Sequence, residues 1–424
     1  DNLKIRLSYG SLGNQQIGYY DFIQTVTTKG SMSDYSFDGT TLGQHATVSD
    51  PVSGNQTWEK VVSKNLGLDL NMFRNRMWLT ADFYIRDTKG ILGKGKSLPS
   101  IYGADEPQVN SNNLRTKGYE LVLGWRDSFE LAGSAFSYGI TGSFSDYTAK
   151  YTKCDNPSGL IGDPYVGKKY GEIWGYKVDG LFRTDEEAAE YASRIDLSTV
   201  AAGYYSATGA YGKGVRAGDI KYLDLNGDNI VNGGKGTLED PGDRRVIGNS
   251  SPRYQYGATL NFSWYGFDVS VFMQGIGRLD WYPGADNLRF WGPYCRPYAT
   301  FVPKNFMSQV WSEENPDAYF PRARAYTSLN STQGTAYYTN DRYLQNLAYC
   351  RLKNLTIGYT IPRRLTSKVG IKECRIYFSG ENLATWSALE SDFLDPEQAA
   401  ADSDKKSNVY PWCKTYSVGL NLTF

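Results

Sequence analysis

The sequence predicts an all-β protein, an antiparallel transmembrane β-barrel with long loops on one side, and three observations carry that prediction. The chain ends in Tyr416 to Phe424, where Tyr416, Val418, Leu420, Leu422 and Phe424 alternate with Ser417, Gly419, Asn421 and Thr423, so one face is apolar and the other small or polar. The same period of two recurs upstream between turn-like breaks. Tyrosine (34) and glycine (45) are abundant although mean hydropathy is −0.49. That combination is expected when strands show apolar side chains to lipid on one face only and polar loops dilute the average.

The strands follow in order. Leu3, Ile5, Leu7 and Tyr9 form one outward set, with Lys4, Arg6 and Ser8 between them. Leu66, Leu68 and Leu70 lead into an Arg74-Asn75-Arg76 turn, and Met77, Leu79, Ala81, Phe83 and Ile85 return. Tyr119, Leu121, Leu123 and Trp125 are answered by Phe136, Tyr138, Ile140 and Phe144, after which the pattern pauses over about a hundred loop-like residues. It resumes as a hairpin, Tyr254 to Trp264 and Phe267 to Met273, around a Tyr265-Gly266 turn. Here Tyr254, Tyr256, Leu260 and Phe262 are expected outside, and Gln255, Thr259, Asn261 and Ser263 inside. Leu355 to Ile361, a strand marked by Ile376 and Phe378, and Tyr416 to Phe424 complete a tally of about ten.

The connections alternate in length. They are short after Leu70, Trp125, Trp264 and Ile361 and long after Tyr9, Ile85, Phe144, Met273 and Phe378. Short turns on one rim and long loops on the other are the asymmetry of outer-membrane barrels, and Trp125, Trp264 and Tyr265 fall where an aromatic girdle would meet headgroups. A soluble β-sandwich would show the same alternation facing a second sheet, but it does not require long connections on one side only.

Composition excludes several classes. Lys+Arg and Asp+Glu are both 45, leaving no basic field for nucleic acid. No apolar run approaches the roughly 18 residues of a membrane helix. The first residues lack the charged and apolar regions of a secretory signal. Five cysteines, Cys154, Cys295, Cys350, Cys374 and Cys413, form no Cys-x-x-Cys; the last three fall in strand-like sequence, and Cys154 could meet Cys295. His45 is the only histidine and lies in loop-like sequence, so a Ser-His-Asp triad would have to converge on it alone. Gly93-Lys94-Gly95-Lys96 lacks the strand-to-helix setting of a phosphate loop. No enzyme activity is expected.

Several motifs in order resemble the barrel of SusC/RagA-type TonB-dependent transporters. They are Thr57-Trp58-Glu59-Lys60, Asn65 to Asp69, Thr116 to Leu121, Gly218 to Tyr222, Asp224 to Asp228, Ile247-Gly248-Asn249, Leu352 to Pro362 and Tyr377 to Leu383. The terminal alternation ending on Phe424 likewise resembles the assembly signal of bacterial outer-membrane barrels. The resemblance spans residues 1–424 but covers only the C-terminal portion of the family pattern, about ten of roughly 22 strands, with the plug domain, the TonB box and the first strands outside it. It implies import of an oligosaccharide or peptide across the outer membrane of a Gram-negative, Bacteroidetes-like cell. The implied partners are TonB, reached through the missing N-terminal region, and a SusD-like surface lipoprotein. A self-contained ten-strand barrel, adhesin or enzyme, and a soluble glycan-binding β-protein stay as alternatives. The first would close by pairing Ile5 with Leu420.

Two loop constellations invite a ligand. Asp224, Asn226 and Asp228, with the carbonyl of Ile230, place oxygens at the alternating positions that wrap Ca²⁺ in the first half of an EF-hand. Asn229 replaces the usual glycine and Lys235 the usual glutamate, so Asp243 or Asp240 would have to complete the shell; an Asx-rich turn satisfied by its own backbone is the competing reading. After Met273 the aromatics Trp281, Tyr282, Phe290, Trp291, Tyr294, Tyr298, Phe301 and Trp311 crowd one loop. Trp281, Tyr282, Trp291 and Tyr294 are candidate substrate or partner contacts, unless they pack a miniature core of the loop's own. Thr184-Asp185-Glu186-Glu187 reads as the capped start of a short helix.

Overall fold

The computed structural model describes residues 1–14, 23–29, 39–40, 45–54, 56–95, 98–205, 214–295, 302, 304–324, 329, 334–391, 393–401 and 410–424. Its frame is one antiparallel sheet of ten strands in sequence order: β1 (Asn2–Asn14), β2 (Glu59–Met72), β3 (Met77–Lys94), β4 (Gln108–Leu131), β5 (Ser134–Lys153), β6 (Arg253–Trp264), β7 (Phe267–Arg278), β8 (Tyr349–Thr360), β9 (Glu373–Ser387) and β10 (Thr415–Thr423). Directly opposed residues share a face, so the register carries one apolar set across the sheet. Leu68, Ala81 and Leu121 align on β2 to β4. Leu260, Val271 and Leu355 do so on β6 to β8. The sets foreseen for Tyr254 to Ser263 keep this alternation, and Tyr254 and Phe262 are exposed.

Ile5 pairs with Leu68 and Leu420 with Ile376, so among the described residues β1 and β10 are the two edges of the sheet and do not close it on each other. The small closed barrel is therefore not formed by these strands.

Two of the four turns on the short-turn rim are two-residue hairpins. Ala132-Gly133 and Tyr265-Gly266 both have positive φ at each position (50° and 79°; 50° and 83°), which matches the twist of the flanking strands. The turns interlock: the Trp264 indole N–H donates to the Leu131 carbonyl at 3.2 Å, and the Tyr265 hydroxyl donates to the Ala132 carbonyl. The Trp125 indole donates to the Tyr138 hydroxyl at 3.1 Å on the same rim.

The opposite face is polar and carries two features the sequence reading did not single out. Arg6 spans Asp69 (2.8 Å) and Asp82 (2.9 Å), and Arg375 meets Asp268 at 2.9 Å. Long side chains also lie flat across glycines of the next strand: a Cβ on Gly124 would sit 2.0 Å from the Trp78 ring, and one on Gly118 2.5 Å from that of Tyr84. Glycine is required where another side chain approaches the backbone this closely. The signal was present as glycines and charges at inward positions, but a polar alternate residue looks the same whether it faces water or an ion-pair partner.

Two sequence expectations change here. The roughly hundred residues after β5 are a folded layer, with strand pairs Glu172–Gly175/Arg245–Asn249 and Val178–Leu181/Ile220–Tyr222 and helix α1 (Asp185–Arg194). Together with parts of 279–347 and 389–399 they form a crown beyond the long-loop rim, around a core of Phe182, Tyr222, Trp291, Phe320, Tyr343 and their neighbours. His45 opens a short strand, His45–Val48, paired with Val26–Lys29.

Candidate functional site

The crown is where the singled-out residues gather. Helix α1 starts as read, with a side-chain cap: the Thr184 hydroxyl accepts from Glu187 N at 3.1 Å, and the Glu187 carboxylate reaches back to accept from Arg183 N, one residue before the cap, at 2.8 Å. Beside it, Asp219 and Arg324 form a buried ion pair at 2.5 Å, with the guanidinium 4.1 Å from the Tyr204 ring centroid. Burial pushes the Asp219 carboxyl up to about 6 against the pull of Arg324.

The aspartate loop is a chain of side-chain-to-backbone bonds. Asp224 accepts from Gly227 N (2.7 Å) and Asn229 N (2.9 Å), Asn226 from Asp228 N (3.1 Å), and Asp228 from Ile230 N (2.8 Å). Asp243 is fully buried and accepts from Leu225 N (2.7 Å) and Asn232 N (2.9 Å), so it returns to the loop as its spacing suggested. Asp240 instead accepts from Gly242 N at 3.3 Å. Asn229 adopts φ 63°, the left-handed conformation that asparagine tolerates. Among the described residues no three His, Cys, Asp or Glu side chains are grouped as an ion would need.

The four candidate contact aromatics lie inside the crown and not on its surface, with Trp291 fully buried. Their polar tips are satisfied internally where bonds are formed: Tyr282 Oη donates to the Tyr338 carbonyl (3.1 Å), Trp291 Nε1 to the Gly284 carbonyl (3.1 Å) and Tyr294 Oη to the Pro321 carbonyl (2.5 Å). Trp281 sits in a strand pair with Gln345. Phe290 is placed by the Asn287 cap of the helical turn Leu288–Trp291 and packs edge-on to Trp291 at 4.8 Å. In this structure the cluster is the loop's own core. Tyr298 and Phe301 lie outside the described residues, as does Lys96.

The five cysteines form no disulfide among the described residues. Cys413 is exposed and precedes β10 instead of lying in it.

The crown is clamped to the wall by Arg351 of β8. This nearly fully buried guanidinium donates to Asp395 (2.7 Å), Glu397 (2.8 Å) and the Thr385 hydroxyl (2.9 Å). Sequence reading missed it, because its partners lie about forty residues downstream.

No protein-family model matches the chain. It is 25% identical over 443 residues to TonB-dependent receptor P3 of Formosa agariphila, covering 99% of this chain and 39% of that protein. It is 22% identical over 439 residues to TonB-dependent receptor SusC of Bacteroides thetaiotaomicron, covering 100% of this chain and 38% of that one. The chain thus spans about two fifths of the length of these curated relatives. Among solved structures, the RagAB peptide transporter superposes with a TM-score of 0.67 at 20% identity, over 100% of this chain and 41% of that chain. These relatives are receptors and transporters, not enzymes. The resemblance carried by the motifs is borne out along the whole chain, which has the antiparallel barrel-wall fold of the RagAB transporter and is similar in sequence to SusC-like TonB-dependent receptors.

Proposed function

We propose that this chain supplies part of the wall and outer crown of a TonB-dependent importer in the outer membrane of a Gram-negative, Bacteroidetes-like cell. The observation that carries the reading is the apolar face continuous over ten strands, backed by a polar face with its own ion pairs. A soluble sheet would have to cover that face. Lipid covers it without further structure. The plug and the remaining strands belong to polypeptide outside these residues, and those strands would pair on the free edges of β1 and β10, whose unpaired amides are costly in lipid.

The cargo is a nutrient oligosaccharide or peptide, passed inward from a SusD-like lipoprotein seated on the crown, with TonB engaged through the missing N-terminal region. The test uses the full-length protein in its host. Deleting the gene should abolish growth on one such nutrient as sole source, and disabling TonB should do the same while the protein stays in the membrane fraction. Growth unaffected on every glycan and peptide pool tried would sink the import reading.

A structural Ca²⁺ at Asp224, Asn226, Asp228, the Ile230 carbonyl and Asp243 remains part of the proposal, supported by the alternating oxygens and the return of Asp243. Calcium should raise the melting temperature of the full-length protein and chelation should lower it. An Asp224→Ala, Asp228→Ala variant should not respond. Equal responses in parent and variant would leave the Asx turn as the whole account.

A further inference from the structure

Beyond the apolar belt, on the outward face and toward the long loops, β2 to β5 change character in register. The belt's last rows hold Leu66, Phe83 and Tyr119. One row further the outward positions are Lys64, Ile85, Lys117 and Thr148. The next holds Val62, Asp87, Arg115 and Lys150, and the one after brings Lys60 opposite Lys89. A segment running beside the upper end of β5, bonded through Tyr151 N to the Lys168 carbonyl (3.0 Å), sets Lys169 opposite Lys150. All six lysines are exposed.

The acids nearby are already engaged. Asp87 is held by Arg115 at 2.6 Å, and Asp146 by Arg253 at 2.6 Å. Glu172, three residues from Lys169, accepts from the Tyr165 hydroxyl (2.6 Å) and from Lys169 N (2.9 Å). Two pairs of like charges therefore face each other directly, Lys60 with Lys89 and Lys150 with Lys169, an arrangement that destabilises a sheet unless an anion lies between them. The band is local. On the other half of the wall the outward row Gly275, Cys350 and Trp386, in register with Leu121 through Tyr256 and Phe144, carries no charge. On this face the opposite rim carries Trp125, Trp264 and Phe267, and there Arg76 is neutralised by Asp127 at 3.0 Å.

We propose that Lys60, Lys64, Lys89, Lys117, Lys150 and Lys169 form a docking band for phosphate-bearing lipid headgroups of the outer leaflet. The inference rests on the membrane reading of the wall. The belt below offers Phe83, Tyr119 and Leu66 to acyl chains, and the ammonium groups stand where the headgroup phosphates of those same lipids would lie. Lysine suits the task, being a compact charge on a flexible stem that reaches past the belt to the interface. Attraction of this kind is screened by salt.

The test is native mass spectrometry of the full-length protein released from detergent micelles doped with phosphatidic acid or with phosphatidylcholine of the same acyl chains. The parent should retain phosphatidic acid with at least tenfold lower half-saturation than phosphatidylcholine, less so as ionic strength rises. Two triple variants, K60Q/K64Q/K89Q and K117Q/K150Q/K169Q, should each lose part of that preference, and the sextuple variant nearly all of it. The control R363Q/R364Q/K368Q, at the short-turn rim, should keep it. Unchanged preference in the triple variants, or equal loss in the control, overturns the band. A parent that retains both lipids equally overturns the band alone, whereas one that takes up neither overturns the membrane reading with it.

Discussion

The wall and the crown are made by one chain and obey opposite rules of burial. On the wall, Leu7 is 80% exposed and Val418 79%, while Arg6, Asp69 and Asp82 are drawn together on the other face. In the crown, Trp291 and Tyr343 are fully buried and most charges sit on the outside, apart from the Asp219–Arg324 pair and Asp243, which backbone amides hold. Each half is ordered for a different solvent. Hydrophobic burial drives the crown together as it does a soluble domain, whereas the wall is held by its hydrogen-bond ladder, its ion pairs and the lipid it faces.

The largest separation between the two comes from emptying the crown's core. Trp291 packs on Tyr343 at 5.1 Å and on Phe290, and its indole N–H has a partner. Trp291→Ala should cost about 3–5 kcal/mol, and that loss should stay in the crown. Hydrogen exchange of the full-length protein should show faster exchange across 279–347 with β2 to β5 unchanged. Faster exchange in both regions would mean that wall and crown form one cooperative unit.

The converse variant strikes the wall. Leu121 lies at mid-belt on the outward face, opposite Ala81 and Phe144. Leu121→Arg should cost about 2–4 kcal/mol in a bilayer and much less in a protein whose outward face meets water. Urea titration of the folded fraction in lipid vesicles reads the difference. A neutral result would break the assignment of solvents to faces.

How much of this was legible follows the same division. The wall could be read because its information is local: Tyr256, Leu260 and Phe262 state their face within seven residues. What failed there was length. Tyr119 to Trp125 and Phe136 to Phe144 were visible, yet β4 and β5 run from Gln108 to Leu131 and Ser134 to Lys153. Above the belt the outward positions become Arg115, Lys117 and Lys150, so the apolar alternation stops while the ladder continues. The crown read as loop because its core is assembled across long separations, as where Asn340 donates to the Tyr282 hydroxyl at 3.0 Å. Its aromatics were seen, but nothing local told an inward ring from one awaiting a ligand. Only the N-cap of α1 and the Asx turn, both made within a few residues, were legible there.

A smaller effect distinguishes the regions by pH. Burial holds the Asp219 carboxyl at about 6, above its unfolded value near 3.8. The folded crown then binds this proton more tightly than the unfolded chain, so its contribution to stability is greatest below about 4 and falls as pH rises to about 6, by up to about 3 kcal/mol. Crown exchange rates should rise over that window and level off above it. In Asp219→Asn the step should vanish, although Arg324 is then left without its buried counter-charge.

The smallest prediction concerns the cap of α1, and it tests whether the crown responds as an ordinary soluble fold. Thr184 has extended backbone (φ −133°, ψ 161°) and its hydroxyl takes the otherwise unbonded N–H of Glu187. Glu187 returns the bond to Arg183 N and also meets Lys221 at 3.0 Å, which ties the first turn of the helix to the strand Ile220–Tyr222. Removing the hydroxyl in Thr184→Ala leaves one helix amide to solvent, at a cost of about 1 kcal/mol. Thr184→Ser keeps the acceptor and should recover most of it. Because α1 touches the crown core through Ala188, the loss should appear as faster exchange over 185–194 and 220–222, with β1 to β10 unmoved. Equal behaviour of the alanine and serine variants would show that the helix start is set by its packing on the crown and not by its cap.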